Sequence, residues 1–289
     1  MSSFSCKDLY QVNRLKKILS RFDLHPKKSL GQHFLADRSY LESITSSTEN
    51  TTSAVEIGSG MGSLTCALKE KFDEIIAIEI DKNFQEPFKQ IVSSLKVKLV
   101  NKDFLYLDFS NLGLKPTRNA TLIGNIPYSL TSKVIQKSLQ DREFFRDIII
   151  TIQQEVANRV LAKPGSREIG PISFLAQGYA RVEKVIDIPP DAFYPEPEVY
   201  STTIKLSPWG KAKFTSDPEL FFLVIRQLFN YRRKTIRKGL TINTELNLDK
   251  HTADKLLSTT SIDPKKRPEE LKFEEFDRLA TEIERIIST

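Results

Sequence analysis

Cysteine is almost absent from this chain of 289 residues, in which only Cys6 and Cys66 occur. Two thiols exclude a disulfide framework, and neither lies in a spacing that metal sites use. Cys66 stands among Leu64, Ala67 and Leu68, which predicts a small buried hydrophobic side chain. The expectation is a protein of a reducing compartment.

Long apolar runs and clustered histidines are also missing. No run approaches the ~18 residues of a membrane span, and the polar start MSSFSCKDLYQ lacks the apolar core of a signal peptide. His25, His33 and His251 are scattered, so no metal site is expected. We therefore expect a soluble, cytoplasmic protein with no membrane partner.

Charge of neither sign dominates. The chain has 43 Lys and Arg against 37 Asp and Glu, a net charge of +6, and a pI near 9.1. That is a mild preference for polyanions, so a partner must be argued from where the charge lies. The length allows a sizeable core with a smaller second domain.

Short β-rich runs alternate with amphipathic stretches between residue 54 and about residue 208. Several runs are almost wholly apolar, as expected for strands covered on both faces. The stretches 63–72, 82–95 and 129–140 have apolar residues at helical spacing. This alternation predicts a doubly wound α/β sheet. The predicted strands are 54–58, 74–80, 97–103, 121–128, 147–154, 184–189 and 201–206.

Beyond SPWG (207–210) no strand-like run follows, and the remaining sequence predicts a series of helices. We therefore assign residues 1–208 to the main domain and 209–289 to a small helical domain. Within the first, residues 1–26 form a lead-in whose RLKKILSRF stretch predicts a short helix.

A glycine-rich loop, VEIGSGMG (55–62), connects the first predicted strand to a helix. Glycine permits a tight turn and lets backbone N–H groups approach a ligand. Roughly 20 residues later the second strand ends at Glu79, where an acid can reach a ribose. The spacing E-x-G-x-G-x-G, which begins at Glu56, is typical of S-adenosylmethionine methyltransferases. The G-x-G-x-x-G of nicotinamide oxidoreductases is not matched, which disfavours that alternative.

Two more polar residues end successive strands. Asp103 is either a loop acid or helix cap, or an acceptor for the exocyclic amine of the cofactor's adenine. Open α/β sheets bind ligands at the carboxyl ends of their strands, so Gly58, Glu79, Asp103 and Asn125 are expected to converge there.

The fourth strand ends in Asn-Ile-Pro-Tyr, which is either a simple turn or an active-site edge. For methyl transfer to the amino group of adenine, the side-chain oxygen of Asn125 and the carbonyl of Ile126 would accept hydrogen bonds from that amine. Pro127 would fix the backbone and Tyr128 would stack on the extruded base. The expected catalysis is therefore mostly alignment of the nitrogen, methyl group and sulfur, together with electrostatic stabilisation.

With these motifs on the page, the chain resembles the ribosomal small-subunit RNA adenine dimethyltransferases over nearly its full length. The matching segments are KKSLGQHFLAD (27–37), VEIGSGMGSLT (55–65), IEID (78–81), GNIPYSLTS (124–132), QQEVANRVLAKPGSREIGPIS (153–173), AFYPEPEVYST (192–202) and NYRRKTIRKGL (230–240). The resemblance implies a Rossmann-like class I methyltransferase sheet with a C-terminal helical domain.

It also implies an activity and its partners. The cofactor would be S-adenosylmethionine, with S-adenosylhomocysteine as product and no metal. The substrate would be two adjacent adenines in the hairpin loop near the 3′ end of 16S rRNA, dimethylated at N6 within an immature small (30S) subunit. Nothing in the sequence requires more than a monomer.

By motif, the resemblance places the cofactor against His33 and Leu35, with Gln32 nearby. Phe193 would be a second aromatic wall for the target base, or else an aromatic packed beneath a proline-rich loop. Two departures are present. His33 stands where many relatives have asparagine, and Ser59 stands where many have proline, an exchange expected to be harmless. The remaining implied cofactor contacts are Gly58, Gly60, Glu79, Asp103 and Asn125.

A basic run without any acid extends from Arg226 to Lys238. On one continuous helix, Arg226, Arg233 and Arg237 would share a face. The alternatives are a solvated surface or phosphate contacts to structured RNA, and the absence of acids favours RNA. The expected RNA-binding residues are Lys27, Lys28, Arg226, Arg232, Arg233, Lys234, Arg237 and Lys238.

Two further alternatives remain open. The same chemistry on large-subunit RNA is disfavoured by the C-terminal domain and the NIPYSLTS form. A non-catalytic assembly or transcription factor is disfavoured because the Asn125–Tyr128 segment and the cofactor residues are intact.

Overall fold

A computed structural model describes residues 4–27, 31–49, 51–246 and 248–287. The chain divides into two compact units, Met1–Ala157 with Arg181–Pro208 and Asn158–Ala180 with Trp209–Thr289. The expected RNA-binding residue Lys28 lies outside the described residues.

A seven-stranded sheet forms the centre of the first unit, in the order β4-β3-β2-β5-β6-β9-β7. Neighbouring strands from β4 to β6 are parallel, and β9 runs antiparallel to β6. The two-residue strands β1 and β8 form a separate antiparallel pair. The strands are β1 Phe34–Leu35, β2 Ser53–Ile57, β3 Glu74–Ile78, β4 Val97–Val100, β5 Ala120–Asn125, β6 Phe145–Gln153, β7 Ala180–Ile188, β8 Phe193–Tyr194 and β9 Ser201–Pro208.

The parallel strands are the near-continuous apolar runs of the sequence. Every residue of β2 is buried, as are the first five of β5. Strands covered on both faces need such runs, so the predicted α/β sheet is confirmed. The helices from the lead-in through the sheet are α1 Val12–Arg21, α2 Arg38–Ser46, α3 Ser63–Leu68, α4 Gln85–Val92, α5 Thr131–Gln140 and α6 Gln154–Leu161.

The second unit is helical and has its own core. Phe174 packs edge-on against Phe276 with ring centroids 4.8 Å apart, and against Phe229 at 5.9 Å. Phe174 precedes residue 209, so the predicted boundary is wrong for residues 158–180, whose apolar side chains pack with the later helices. The remaining helices are α7 Pro171–Tyr179, α8 Pro218–Asn230, α9 Ile236–Ile242, α10 Lys250–Thr259 and α11 Phe273–Ile287.

The two cysteines form a disulfide bond, contrary to the expectation for a reducing compartment. Cys66 is buried as predicted, but its sulfur is bonded to Cys6 of the short 3₁₀ helix Cys6–Tyr10. A separation of 60 residues in sequence gave no sign that the two Cα atoms lie 5.7 Å apart, within disulfide reach. Among the described residues, no helix is both long and apolar enough to cross a membrane.

Candidate active site

The four predicted strand-end residues lie around one cavity of about 220 Å³. Gly58 follows β2, Glu79 follows β3, Asp103 lies beyond β4, and Asn125 ends β5. Because these strands are parallel, their carboxyl ends meet at one edge of the sheet. Gln32, His33 and Gly60 line the same cavity.

The glycine loop has a conformation that other residues rarely adopt. Gly60 has a φ of +53°, and a Cβ there would lie 2.9 Å from the ring of Phe34. Its backbone donors, however, are used within the protein. The N–H groups of Gly58 and Ser59 donate to the carbonyl of Ile78, and the N–H of Gly60 donates to Glu79. These three N–H groups are therefore used to fasten the loop to the end of β3.

Glu79 organises this edge of the cavity. Its Oε2 accepts from the Gly60 N–H and its Oε1 from the Asp81 N–H, both at 2.8 Å. Burial raises the pKa of this carboxyl, although the two backbone donors oppose the shift. The carboxyl lines the cavity, where it meets the requirement for a ribose acceptor.

Asp81 binds two of the residues for which the sequence predicted a site role, Lys27 and Gln32. The Lys27 ammonium lies 2.8 Å from its Oδ2, and Gln32 Nε2 donates to the same oxygen at 3.2 Å. Burial alone would raise the pKa of Asp81, but hydrogen bonds from Lys27 and the Asn83 N–H outweigh it and leave the pKa lowered. Lys27 therefore forms an ion pair within the protein, whereas the sequence predicted that Lys27 contacts RNA.

The far end of the cavity combines an acid with apolar walls. Asp103 Oδ1 accepts a hydrogen bond from the Leu105 N–H at 2.9 Å and caps a short 3₁₀ helix. One oxygen of Asp103 therefore has the helix-cap role that was one of its two predicted alternatives. Ile80 and Leu105 also line the cavity, and Ile80 is 53% exposed. Sequence reasoning missed Ile80, although an apolar residue directly after a ligand-side acid was a usable signal.

Asn125 is held in one orientation. Its Nδ2 donates to the backbone carbonyl of His33 at 2.7 Å, so its Oδ1 is directed away from that carbonyl. Within the described part of the chain, no donor contacts Asn125 Oδ1 or the carbonyl oxygen of Ile126. The Ile126 N–H donates to Thr151, which fixes the peptide unit at the end of β5. Two acceptors are therefore present at the predicted turn.

Tyr128 and His33 form a stacked pair, with ring centroids 5.8 Å apart and an interplanar angle of 20°. The Tyr128 hydroxyl lies 2.9 Å from the Ser201 hydroxyl, and His33 Nδ1 lies 2.7 Å from the carbonyl oxygen of Pro195. Burial raises the pKa of Tyr128, although the bond to Ser201 opposes the shift. The Tyr128 ring is therefore fixed beside the cavity rather than within its lining.

Phe193 does not reach the site. It is 1% exposed, pairs with Leu35 between β8 and β1, and packs into the apolar core of the first unit. The prediction of a second aromatic wall for the base is wrong in this arrangement, because a side chain within the core offers no face to a ligand. Leu35 itself lines a smaller neighbouring cavity of about 40 Å³.

This smaller cavity contains polar groups that had no predicted role. Glu56 is 1% exposed and accepts a hydrogen bond from the Thr65 hydroxyl. Burial raises the pKa of Glu56 to about 8, although Thr65 lowers it and nearby Glu79 adds to the increase. The hydroxyls of Ser59 and Ser63 line the same space. An acid inside an otherwise apolar strand was the signal available for Glu56.

The basic run is two helices and a turn, not one helix. Arg226 is on α8, Arg233 is in the turn, and Arg237 is on α9. Arg237 is paired with Asp254, with Nη2 and Oδ2 2.6 Å apart, and Arg232 with Glu269 at 3.0 Å. The run contains no acids, but acids from elsewhere in the chain pair with two of its members.

Four cations of the run are exposed, and no ion pair is present for them among the residues that the structure describes: Arg226, Arg233, Lys234 and Lys238. Across the same described ranges, no group of three or more His, Cys, Asp or Glu side chains is arranged to hold a metal ion.

The strand order β4-β3-β2-β5-β6-β9-β7, with β9 antiparallel to β6, is that of the class I methyltransferase fold, the class that uses S-adenosylmethionine. The model of the family described as ribosomal RNA adenine dimethylase matches residues 24–285, and the chain belongs to that family.

Two relatives with assigned names support membership of this family. The chain is 34% identical over 276 residues to ribosomal RNA small subunit methyltransferase A of Alkaliphilus oremlandii, covering 93% of this chain and 96% of the relative. It is 36% identical to the Clostridium botulinum protein of the same name, covering 92% and 96%.

Two solved structures share the fold. A dimethyladenosine transferase from Plasmodium falciparum superposes with a TM-score of 0.72 at 22% identity, covering 86% of this chain and 96% of the other. The 23S rRNA methyltransferase ErmE gives 0.65 at 19% identity, covering 86% and 99%. At these identities the comparison shows the fold alone.

Proposed function

We propose that the protein dimethylates the N6 amino groups of two adjacent adenines in the hairpin loop near the 3′ end of 16S rRNA. The substrate is the RNA within an immature 30S subunit, and the protein acts as a monomer in the cytoplasm. The observation that carries the proposal is the pair of acceptors at the end of β5, the oriented oxygen of Asn125, which lines the cavity, and the carbonyl of Ile126 next to it.

Those acceptors suit the chemistry of an aromatic amine. The lone pair of adenine N6 is delocalised into the ring, so the nitrogen is a weak nucleophile. Two acceptors for its N–H hydrogens favour a tetrahedral nitrogen with a localised lone pair and stabilise the positive charge that grows during transfer. Tyr128 supplies an aromatic face beside these two acceptors, and Pro127 fixes the backbone between Ile126 and Tyr128.

The proposed cofactor is S-adenosylmethionine, which supplies an electrophilic methyl group when bound. In this proposal Glu79 accepts hydrogen bonds from the ribose hydroxyls of the cofactor, and the second oxygen of Asp103 accepts one from the amine of the cofactor's adenine. Ile80 and Leu105 provide apolar contact for the adenine ring. The residues around the glycine loop hold the other end of the cofactor, and no metal takes part.

The test is transfer of label from radioactive S-adenosylmethionine to small subunits isolated from a strain that lacks the modification. Dimethyladenosine in 16S rRNA is the expected product, whereas label confined to large-subunit RNA would favour the alternative substrate. Asn125→Ala should lower the transfer rate by about 10²-fold or more while cofactor affinity stays within about twofold. Asn119→Ala, at an exposed asparagine, is the matched control. Equal losses of rate and affinity in Asn125→Ala would contradict the assigned role.

The helical unit is proposed to bind RNA phosphates through its exposed cations. Reversing the charge of Arg233 and Lys238 should weaken subunit binding and reduce its salt dependence by about one counterion per lost contact. Lys255→Glu makes the same charge change at an exposed position of α10 and serves as the control. If all three variants bind equally well, the cations of the basic run are only solvated.

A further inference from the structure

The helical unit contains a cavity that shares no lining residue with the candidate active site. Its volume is about 350 Å³, compared with about 220 Å³ for the cavity at the sheet edge. Its walls come from α7, the loop before α7, the segment before α8 and the start of α11. The loop before α7 belongs to the stretch 153–173, one of those that carry the family resemblance. The cavity is therefore a candidate binding site in a segment without an assigned role.

The lining offers an aromatic ring and a hydrogen-bond acceptor. Phe273 is half-buried, and its ring centroid lies 6.0 Å from that of Phe174. Gln177 Nε2 donates to the carbonyl oxygens of Val160 and Ala162 at 3.0 and 2.8 Å, so Oε1 is directed away from them. Within the described ranges, no donor contacts this Oε1. A nucleobase needs such partners, because it has a π-face and N–H donors on its edge.

The charge of the lining favours a phosphate group. Lys213 and Lys272 are exposed and have no ion pair among the described residues, whereas Glu274 is the one acid in the lining. The Lys213 ammonium lies 4.6 Å from the ring centroid of Trp209, an uncharged neighbour. Lysines without a carboxylate partner are available to phosphates of RNA.

The cavity is connected to the basic run through the loop that precedes α7. Pro164 of this loop lines the cavity. The Arg167 carbonyl of the same loop accepts a hydrogen bond from Arg232, a member of the basic run. The Gly165 N–H donates at 2.7 Å to the carbonyl of Glu269, the acid that pairs with Arg232. The loop therefore joins the cavity to the surface that is proposed to bind RNA phosphates.

We infer that this cavity binds one unpaired nucleotide of the substrate RNA. Its base stacks on Phe273 and donates to Gln177 Oε1, and the adjoining phosphates contact Lys213 and Lys272. The inference rests on the proposed function and adds to it a base that is held without being methylated. Phosphate contacts position RNA without reading it, whereas an unpaired base in a cavity fixes which nucleotide lies there.

Trp209 gives a local signal for occupancy of the cavity. It is the single tryptophan of the chain, and its Nε1 donates to the Gln177 carbonyl at 3.3 Å. Hexaadenylate RNA is the probe, since adenine has a wide π-face and an amine that can donate to Gln177. Its titration into the full-length protein should change the tryptophan fluorescence until the change saturates. An abasic hexamer of the same charge should bind about tenfold more weakly, because it has no base to stack.

Variants separate the phosphate contact from the base contact, with affinity measured by polarisation of fluorescein-labelled hexamers. Lys272→Ala should weaken hexaadenylate binding about fivefold and reduce the salt slope of the affinity by about 0.7, the value for one phosphate contact on a single strand. Lys255→Ala, at an exposed lysine of α10, is the matched control and should change neither quantity. Phe273→Leu should remove the preference for hexaadenylate over the abasic hexamer, and its unchanged binding of the abasic hexamer verifies folding.

The opposite results would overturn the inference. Equal affinity of the wild-type protein for the two hexamers would mean that no base is held, and an unchanged salt slope in Lys272→Ala would mean that no phosphate is contacted there. A pentaglutamate peptide of equal charge that binds as tightly as hexaadenylate would replace RNA by an acidic protein partner. Wild-type protein that methylates small subunits yet gives one of these results loses only the inference, whereas protein that fails to methylate them loses the proposed function as well.

Discussion

Glu56 makes the stability of the ligand-free protein depend on pH in a way that one substitution can isolate. Its pKa is raised from the ordinary value of 4.5 to about 8, because the carboxyl is fully buried. Below pH 4.5 the group is protonated in both the folded and the unfolded chain and contributes no difference. Between the two values the folded chain keeps a proton that the unfolded chain has released, so the free energy of unfolding falls as pH rises.

The magnitude follows from the shift. The slope for one group is about 1.4 kcal/mol per pH unit, so the whole window corresponds to at most about 5 kcal/mol. Glu56→Gln has nearly the same shape and cannot ionise, so it removes this loss. The variant's advantage over the wild type should therefore grow steadily from pH 5 to pH 8.

Urea unfolding followed by circular dichroism at several pH values measures this quantity. The difference between variant and wild type cancels the contributions of titrating groups that do not interact with Glu56. Glu70→Gln makes the same chemical change at an exposed position and should give a flat difference. A flat difference for Glu56→Gln as well would refute the reasoning, since it would mean that Glu56 ionises in the folded protein as easily as in the unfolded chain.

Three other perturbations have defined outcomes. Tyr128→Phe should keep most of the methyl transfer rate because it retains the aromatic face, while Tyr128→Ala should lose at least about tenfold; equal losses would assign the role to the hydroxyl. Cys66→Ser should lower the free energy of unfolding by about 4 kcal/mol under oxidising conditions, since the bond to Cys6 closes a long loop, and an equal loss under reducing conditions would point to packing instead. Gly62→Ala should destabilise the protein by about 2 kcal/mol or more, because the residue has a φ of +96° and a Cβ would lie 2.3 Å from a side-chain methyl; a variant with wild-type urea midpoint would contradict the rigidity of the loop.

Much of the sheet was predictable because its signal is local. Apolar runs that end in Gly58, Glu79 and Asn125 specify buried parallel strands, and parallel strands must bring their carboxyl ends to one edge. The placement of Gly58, Glu79, Asp103 and Asn125 around the cavity followed from that geometry, whereas Gln32 and His33 came from the resemblance and Ile80 was missed. The same reasoning could not show that Asn125 is oriented by a carbonyl 92 positions earlier in the chain.

The failures share a cause, which is pairing between distant segments. The basic run contains no acid, yet Asp254 and Glu269 from elsewhere in the helical unit pair with two of its cations. Cys6 and Cys66 were separated in sequence and bonded in space. Phe193 had a site role by motif, but its pairing with Leu35 places it in the core. Spacing along one segment gives no measure of such partners.

The hydrogen bond from Asn125 to His33 determines the polarity of the active site. A carboxamide has nearly the same outline after half a turn about its last bond, but its donor and acceptor exchange places. Among the described residues, the His33 carbonyl is the one acceptor that keeps the nitrogen on one side. If the backbone at His33 moved away, Asn125 could present its NH₂ group to the amine of the base, and a stabilising dipole would become a repelling one. Under the proposed mechanism, the backbone at His33 therefore controls which end of the Asn125 carboxamide faces the base, although His33 does not belong to the segment that carries the acceptors.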